Sequence, residues 1–180
     1  MLKTLLEFDT KLLLFINQTL SNPVFDFIMP KFDNPINWIP FILFTWIYIS
    51  IKDRKNRIKL LILLPITVLF CDQIGSFIKS FHLRDRPWFG LGIEVVNHLG
   101  GSRGRHLSFP SNHALTISGC AYLFSNIYPD YKKYFCMITL LIMYSRIYIG
   151  VHYPLDVFSG CMLGILITFT IIKLWGKKYS

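Results

Sequence analysis

An all-α, polytopic membrane helical bundle is the fold the sequence predicts, and three observations carry it. Hydrophobic residues fill 53% of the 180 positions and charged ones only 16%, where soluble domains run at roughly 45–50% and 25%. The apolar residues fall in long blocks, without strand alternation or the single stripe of a soluble helix. The net charge of +9 is what basic cytoplasmic loops give a membrane protein. Nucleic acid is not an expected partner, because that reading needs a basic stripe on a polar domain, and none is visible. By length the chain is a single domain, 1–180.

Residues 1–34 form an N-terminal segment. Its first residues carry Glu7 and Asp9 and lack a small-residue cleavage site, so no signal peptide is expected. Residues 10–29 are apolar but interrupted by Asn17, Asn22, Pro23 and Asp26. They read as an interfacial helix lying on the membrane surface, with a sixth, imperfect span as the alternative. Five spans follow, at 35–51, 60–81, 112–128, 134–149 and 154–175, each near the roughly 17–25 residues needed to cross. The first and fourth are short, so their ends must snorkel or the bilayer must thin. Cys71, Cys120, Cys136 and Cys161 lie within apolar stretches at no metal-ligand spacing, and read as small packing residues.

Topology follows from the loops. The basic linker 52–59, the pair Lys132 and Lys133, and the terminal Lys173, Lys177 and Lys178 fall on one face, which the positive-inside rule makes cytoplasmic. Connections 82–111 and 150–153 then share the outer face. The stretch from Trp88 to Pro110 is Gly-rich and longer than the roughly 12–15 residues beyond which loops are commonly functional or disordered.

Every residue with chemical potential lies in or beside those two connections. Lys79 and Arg86, seven apart, share a face on a continuing helix, and Pro87 ends it; interfacial anchoring is the plainer reading of both. Arg146 is nearly intramembrane, where an unpaired charge is expensive and a functional role is the default. Ser111 reads as an N-cap, and a helix N-terminus facing outward is also a ready anion site. His113, two residues on, is either a capped interfacial histidine or a reactive one. Pro154 suits the first helical position, with Tyr153 as cap and Asp156 in the first turn. From there Asp156 can reach back to His152, fixing its tautomer and making the other ring nitrogen a better nucleophile; stabilisation of the helix end is its plainer role. Asp72, seven before Lys79 on the same face, is expected to pair with a cation of this group, or to be a packing carboxylate.

Taken together, two histidines, one carboxylate, three cations and a helix N-terminus suit phosphoryl transfer, which needs charge neutralisation, a nucleophile and an acid. Carboxylates at ligand spacing are lacking, so no metal and no cofactor are expected.

The order Lys79, six residues, Arg86-Pro87, then Pro110-Ser111-Asn112-His113, then Ser145-Arg146, five residues, His152, three residues, Asp156 resembles the three-part signature of the type 2 phosphatidic acid phosphatases. The resemblance covers a core at about 58–174. One departure is Asn112, where that family commonly has Gly; only the backbone N–H is needed there. The resemblance implies about six spans and a two-step reaction. His152 would attack phosphorus and form a phospho-histidine, with Asp156 holding its ring. His113 would protonate the leaving oxygen and then activate water. Lys79, Arg86, Ser111, Asn112 (through its backbone) and Arg146 would hold the phosphoryl oxygens.

By the same resemblance the chain is expected to be a lipid phosphatase of the bacterial inner membrane, with its site facing the periplasm or exterior. Its partners would be the bilayer and a lipid phosphate. Undecaprenyl diphosphate and lipid A 1-phosphate are favoured over phosphatidylglycerol phosphate and phosphatidic acid. Arg84, Arg103 and Arg105 add cations beyond the catalytic set and are candidate head-group contacts, although basic loops also bind anionic lipid surfaces. The competing class is a non-catalytic membrane protein that binds or moves phospholipids; the complete His113, His152 and Asp156 set argues against it.

Overall fold

The computed structural model describes residues 2–101 and 104–179. Regular structure among them is helical, apart from one isolated bridge between Arg84 and Leu107. Helix α1 runs Leu2–Leu14 and continues through a π turn, Phe15–Thr19. Helix α2, Pro23–Ile28, starts on Asn22, whose Oδ1 accepts the N–H of Phe25 at 3.0 Å. Short 3₁₀ turns lead to α3, Ile39–Lys52. Then come α4 (Arg57–Lys79), the single turn α5 (Pro87–Gly90), α6 (Asn112–Ile127), α7 (Lys132–Tyr148) and α8 (Pro154–Tyr179).

All five expected spans fold as helices, but they are unequal. Residues Arg57–Lys79 and Pro154–Lys177 are long and apolar enough to cross, with mean hydropathies of 1.9 and 2.1. Helices α3, α6 and α7 have 14, 16 and 17 residues. At about 1.5 Å per residue they are roughly 21–26 Å long, short of a hydrocarbon core about 30 Å thick.

The N-terminal segment is bent rather than one continuous helix. Lys3–Thr19 and Pro23–Phe32 form a pair bent by 99°. Asp9, Leu13 and Asn17, spaced four apart on one face, are all buried, while Leu5, Leu6 and Phe8 stay exposed. Asn17 makes the tie: its amide donates to Asn97 O at 2.9 Å and Tyr148 O at 2.6 Å, and accepts from Asn97 N at 2.8 Å. The polar residues that interrupt the apolar run are therefore the ones that fasten it to the bundle.

Helix α6 is central, packed most closely on α8 and also against α4 and α7. Two glycines spaced by four on α8 allow that approach, as small residues do between membrane helices. A Cβ on Gly160 would lie 2.6 Å from Ser111 O, and one on Gly164 only 2.0 Å from Leu115 O. Further along, Gly119 of α6 meets Thr168 of α8, so the two helices run parallel and begin together. Their starts are joined directly, the N–H of Ser111 donating to Asp156 O at 3.0 Å. At the other end Tyr128 Oη donates to Asp53 Oδ2 at 2.7 Å. That bond puts the basic linker and the α6–α7 turn on one side, as the charge pattern required.

Replacing Gly164 with Val should cost stability, because the new side chain meets backbone that cannot yield; overpacking of this kind costs about 1–3 kcal/mol. The melting temperature in detergent should fall clearly for Gly164→Val and stay near wild type for Leu166→Val, on the exposed face.

Candidate active site

The site is built where the C-terminal end of α4 and the N-terminal ends of α6 and α8 meet the loop between α4 and α6. The turn from α7 into α8 sets the position of His152. Gly150 takes the left-handed conformation at φ +72°, which ends α7 in the manner of a helix C-terminal glycine. A Cβ there would also strike Val96 Cγ1 at 2.5 Å. Beyond it the N–H groups of Val151 and His152 both donate to the carbonyl of Arg146 at 3.3 Å. Arg146 and His152 are thereby one rigid unit.

Helix α8 starts at Pro154, as the position of that proline required. Asp156 reaches back from the first turn and accepts the N–H of Tyr153 at 2.9 Å, half of a capping box. The same oxygen, Oδ2, accepts Ser108 Oγ at 2.6 Å, and Oδ1 accepts Arg84 Nη1 at 3.0 Å. Asp156 Oδ2 lies 3.8 Å from His152 Nδ1, beyond hydrogen-bond range, and that buried nitrogen has no hydrogen-bond partner. The pair is aligned rather than bonded. Burial pushes the His152 imidazole down to about 3, with Arg86 and Lys79 pushing the same way against the pull of Asp156. The ring is neutral at physiological pH, the state a nucleophile needs.

The cations converge on the same place. Lys79 Nζ donates to Leu107 O at 2.6 Å. Arg86 Nε donates to Gly104 O at 3.0 Å and its Nη1 to Val151 O at 3.2 Å, linking the long loop to the residue before His152. Arg146 is fully buried; its Nε and Nη2 donate to Ser145 Oγ at 3.2 Å. Its Nη1 donates to Asp33 Oδ1 at 2.7 Å. Ser111, also fully buried, caps α6, its Oγ accepting Ala114 N at 3.5 Å.

His113 lies beside Arg146 and Asp33. Its Nε2 lies 3.1 Å from the carbonyl of Asp33; a carbonyl only accepts, so the proton sits on Nε2. Asp33 also takes the N–H of Gly101 at 2.7 Å on Oδ2. Burial pushes the Asp33 carboxyl up, but Gly101 and Arg146 outweigh it and hold it below the usual carboxylate range.

Two expectations change. Arg84 is no free head-group contact: it is locked between Asp156 and Asp9, its Nη2 2.6 Å from Asp9 Oδ2, and stacks 3.7 Å over the Tyr153 ring. Asp72 is exposed and meets the Asn112 amide at 3.5 Å and the Gln73 amide at 3.4 Å, with no ion pair to a site cation among the described residues. The Asn112 side chain turns onto α4, where Gly75 makes room; a Cβ there would lie 2.6 Å from Asn112 Oδ1. Arg105 is exposed, 5.5 Å over the Phe89 ring. Arg103 lies outside the described residues. Sequence reasoning missed Asp9, Asp33 and Ser108 as parts of the site. A signal existed for Asp9, a carboxylate on the apolar face of a helix, and none for the other two.

A buried imidazole beside a carboxylate, a second histidine and three cations at one end of an apolar bundle suit a membrane-embedded hydrolase acting on lipid phosphates. The chain belongs to the PAP2 superfamily, whose model matches residues 60–180. It is 29% identical over 174 residues to a lipid A 4′-phosphatase of Bacteroides thetaiotaomicron, covering 91% of this chain and 75% of that one. It is 30% identical over 149 residues to an undecaprenyl-diphosphatase of Sulfolobus acidocaldarius, covering 81% and 67%. Its fold matches the crystal structure of Aquifex aeolicus LpxE with a TM-score of 0.73 and 26% identity, covering 91% and 93%.

Ser108→Ala removes one of three donors to the Asp156 carboxylate. Hydrogen bonds to charged groups contribute about 1.5–3 kcal/mol, so both melting temperature and phosphate release should drop. Arg105→Ala should leave the melting temperature unchanged.

Proposed function

We propose that the chain removes a phosphate from a polar lipid of the bacterial envelope through a phospho-histidine, with a phosphate of lipid A as first substrate. The similarity to a lipid A 4′-phosphatase along 91% of the chain is the observation that carries the substrate. The likeness to an undecaprenyl-diphosphatase favours undecaprenyl diphosphate as the second. Phosphatidylglycerol phosphate and phosphatidic acid complete the panel.

In this reading Nδ1 of His152 faces Asp156, which leaves Nε2 to attack phosphorus. As the N–P bond forms, the bond from phosphorus to the lipid oxygen breaks, and His113, entering the step as the imidazolium that the bound phosphate anion favours, gives a proton to that oxygen and is left neutral. Water then attacks the phospho-histidine while neutral His113 takes a proton from it; the N–P bond breaks, inorganic phosphate leaves, and His152 returns to its neutral form with His113 again protonated. Lys79, Arg86 and Arg146, with the Ser111 hydroxyl and the backbone N–H of Asn112, offset the charge on the phosphoryl oxygens. Before substrate arrives the Asp33 carboxylate holds Arg146, so a phosphoryl group entering the site takes over that cation. With three cations on the phosphate the reaction needs no metal. Helices α3, α6 and α7 cross the inner membrane together with α4 and α8, and the 80–111 loop opens to the periplasm or exterior.

Phosphate release from the four lipids in detergent is the primary test; turnover of none would reject the reading. His152→Ala should abolish release in a folded protein, while Asp156→Asn retains measurable turnover, since it loosens the ring without removing the nucleophile. Wild-type turnover by His152→Ala would end the mechanism. Activity should survive EDTA and be inhibited by vanadate, a mimic of five-coordinate phosphorus; magnesium-dependent recovery after EDTA would contradict the cation clamp. For sidedness, a cysteine placed at Gly101 should react with an impermeant thiol reagent in spheroplasts, and one at Asn56 only after permeabilisation. The reverse pattern would overturn the topology.

A further inference from the structure

Asp9 and Arg84 take no part in the chemistry outlined above, yet both are tied to the carboxylate behind the nucleophile. Arg84 stands between two acids, with Nη1 3.0 Å from Asp156 Oδ1 and Nη2 2.6 Å from Asp9 Oδ2. Stacking on Tyr153 at 3.7 Å removes the freedom of its plane to turn. Asp9 Oδ1 also accepts the N–H of Leu155 at 2.8 Å, the residue next to Asp156 on α8. One carboxylate on α1 thus grips both the cation that holds Asp156 and the helical turn that carries it.

Burial makes this arrangement expensive. Asp9 is 2% exposed and Asp156 not at all, and two carboxylates share one guanidinium. Desolvation of buried ions commonly cancels their attraction, so such a group is weak evidence for stability. Its geometry instead serves orientation: a guanidinium fork engaged by separate acids, one per nitrogen, has a single position.

We infer that Asp9 and Arg84 are positioning residues for the phosphatase reaction, through which helix α1 fixes the Asp156 carboxylate and with it the His152 ring. The inference rests on the phospho-histidine reading and gives Arg84 a different kinetic signature from that of a head-group contact. Loss of a head-group contact raises KM, whereas loss of support behind the nucleophile lowers kcat.

The test uses the full chain in detergent with lipid A, or whichever of the four lipids the wild type hydrolyses fastest. Asp9→Asn and Arg84→Gln should each lower kcat about ten- to a hundredfold, with KM within about twofold of wild type. In an Asp156→Asn background, adding either change should cause no further loss, because the group they act through is gone. A merely structural role would instead give additive losses in both backgrounds, and a head-group role would raise KM; either result overturns the inference. If Asp9→Asn does not fold, Arg84→Lys replaces it, keeping the charge but not the two-acid bridge, with the same kcat loss expected. An active wild type whose Asp9→Asn and Arg84→Gln variants match it defeats the inference alone. A wild type that releases no phosphate from any of the four lipids defeats the proposed reaction, and the inference with it.

Discussion

The close approach of α6 and α8 is the constraint on which the rest of the structure depends. Gly160 and Gly164 bring the α8 backbone against Ser111 and Leu115, and the Ser111 N–H then reaches the Asp156 carbonyl. One helix start carries Ser111 and His113, the other Asp156 with His152 just before it. Any side chain at those glycines would separate the two halves of the site by more than a hydrogen bond tolerates. Membrane helices gain little from apolar burial against one another, so this contact rests on van der Waals fit and on the polar bond at its end.

Buried charge is the second organising force. An unpaired ion in an apolar bundle is expensive, and the buried ions here are each held by a partner. Arg146 is matched by Asp33, and Arg84 by Asp9 and Asp156. Both pairings recruit a carboxylate from the first 34 residues. The N-terminal segment, with no histidine and no motif of its own, therefore completes the electrostatics of a candidate site whose histidines, cations and remaining carboxylate all lie beyond position 78. Lys79 and Arg86 meet their donor requirements differently, on the carbonyls of the 104–108 and 151 backbone. Their positions follow from the fold of the loops rather than from other charges.

Much of this was legible in the sequence because its causes are local. Hydropathy and length marked α4 and α8, Pro154 marked the start of α8, and the types and spacing of Lys79, Arg86, His113, Arg146, His152 and Asp156 pointed to the candidate site. What was not legible depends on contacts between distant positions. Asp33 meets Arg146 across 113 residues and Asp9 meets Arg84 across 75, and no local pattern announces either. The same limit explains the N-terminal segment. Asn17, Asn22 and Asp26 interrupt an apolar run, and polarity alone suggests water as their partner. Their actual partners are Asn97, Tyr148 and the helix end at Phe25. Arg84 misled for the opposite reason: a cation in a loop resembles its exposed neighbour Arg105, and only the fold separates them.

The parallel course of α6 and α8 has an effect that no single side chain supplies. Each helix start carries the equivalent of about half a positive charge from its aligned peptide dipoles, and two such starts open side by side on one spot. Neighbouring dipoles that point the same way repel, which is a standing cost of the arrangement. In return the attraction for an oxyanion is partly written into the backbone. A descendant of this chain that lost both histidines would keep that attraction, so the capacity to hold a phosphorylated lipid can outlive the capacity to cleave it.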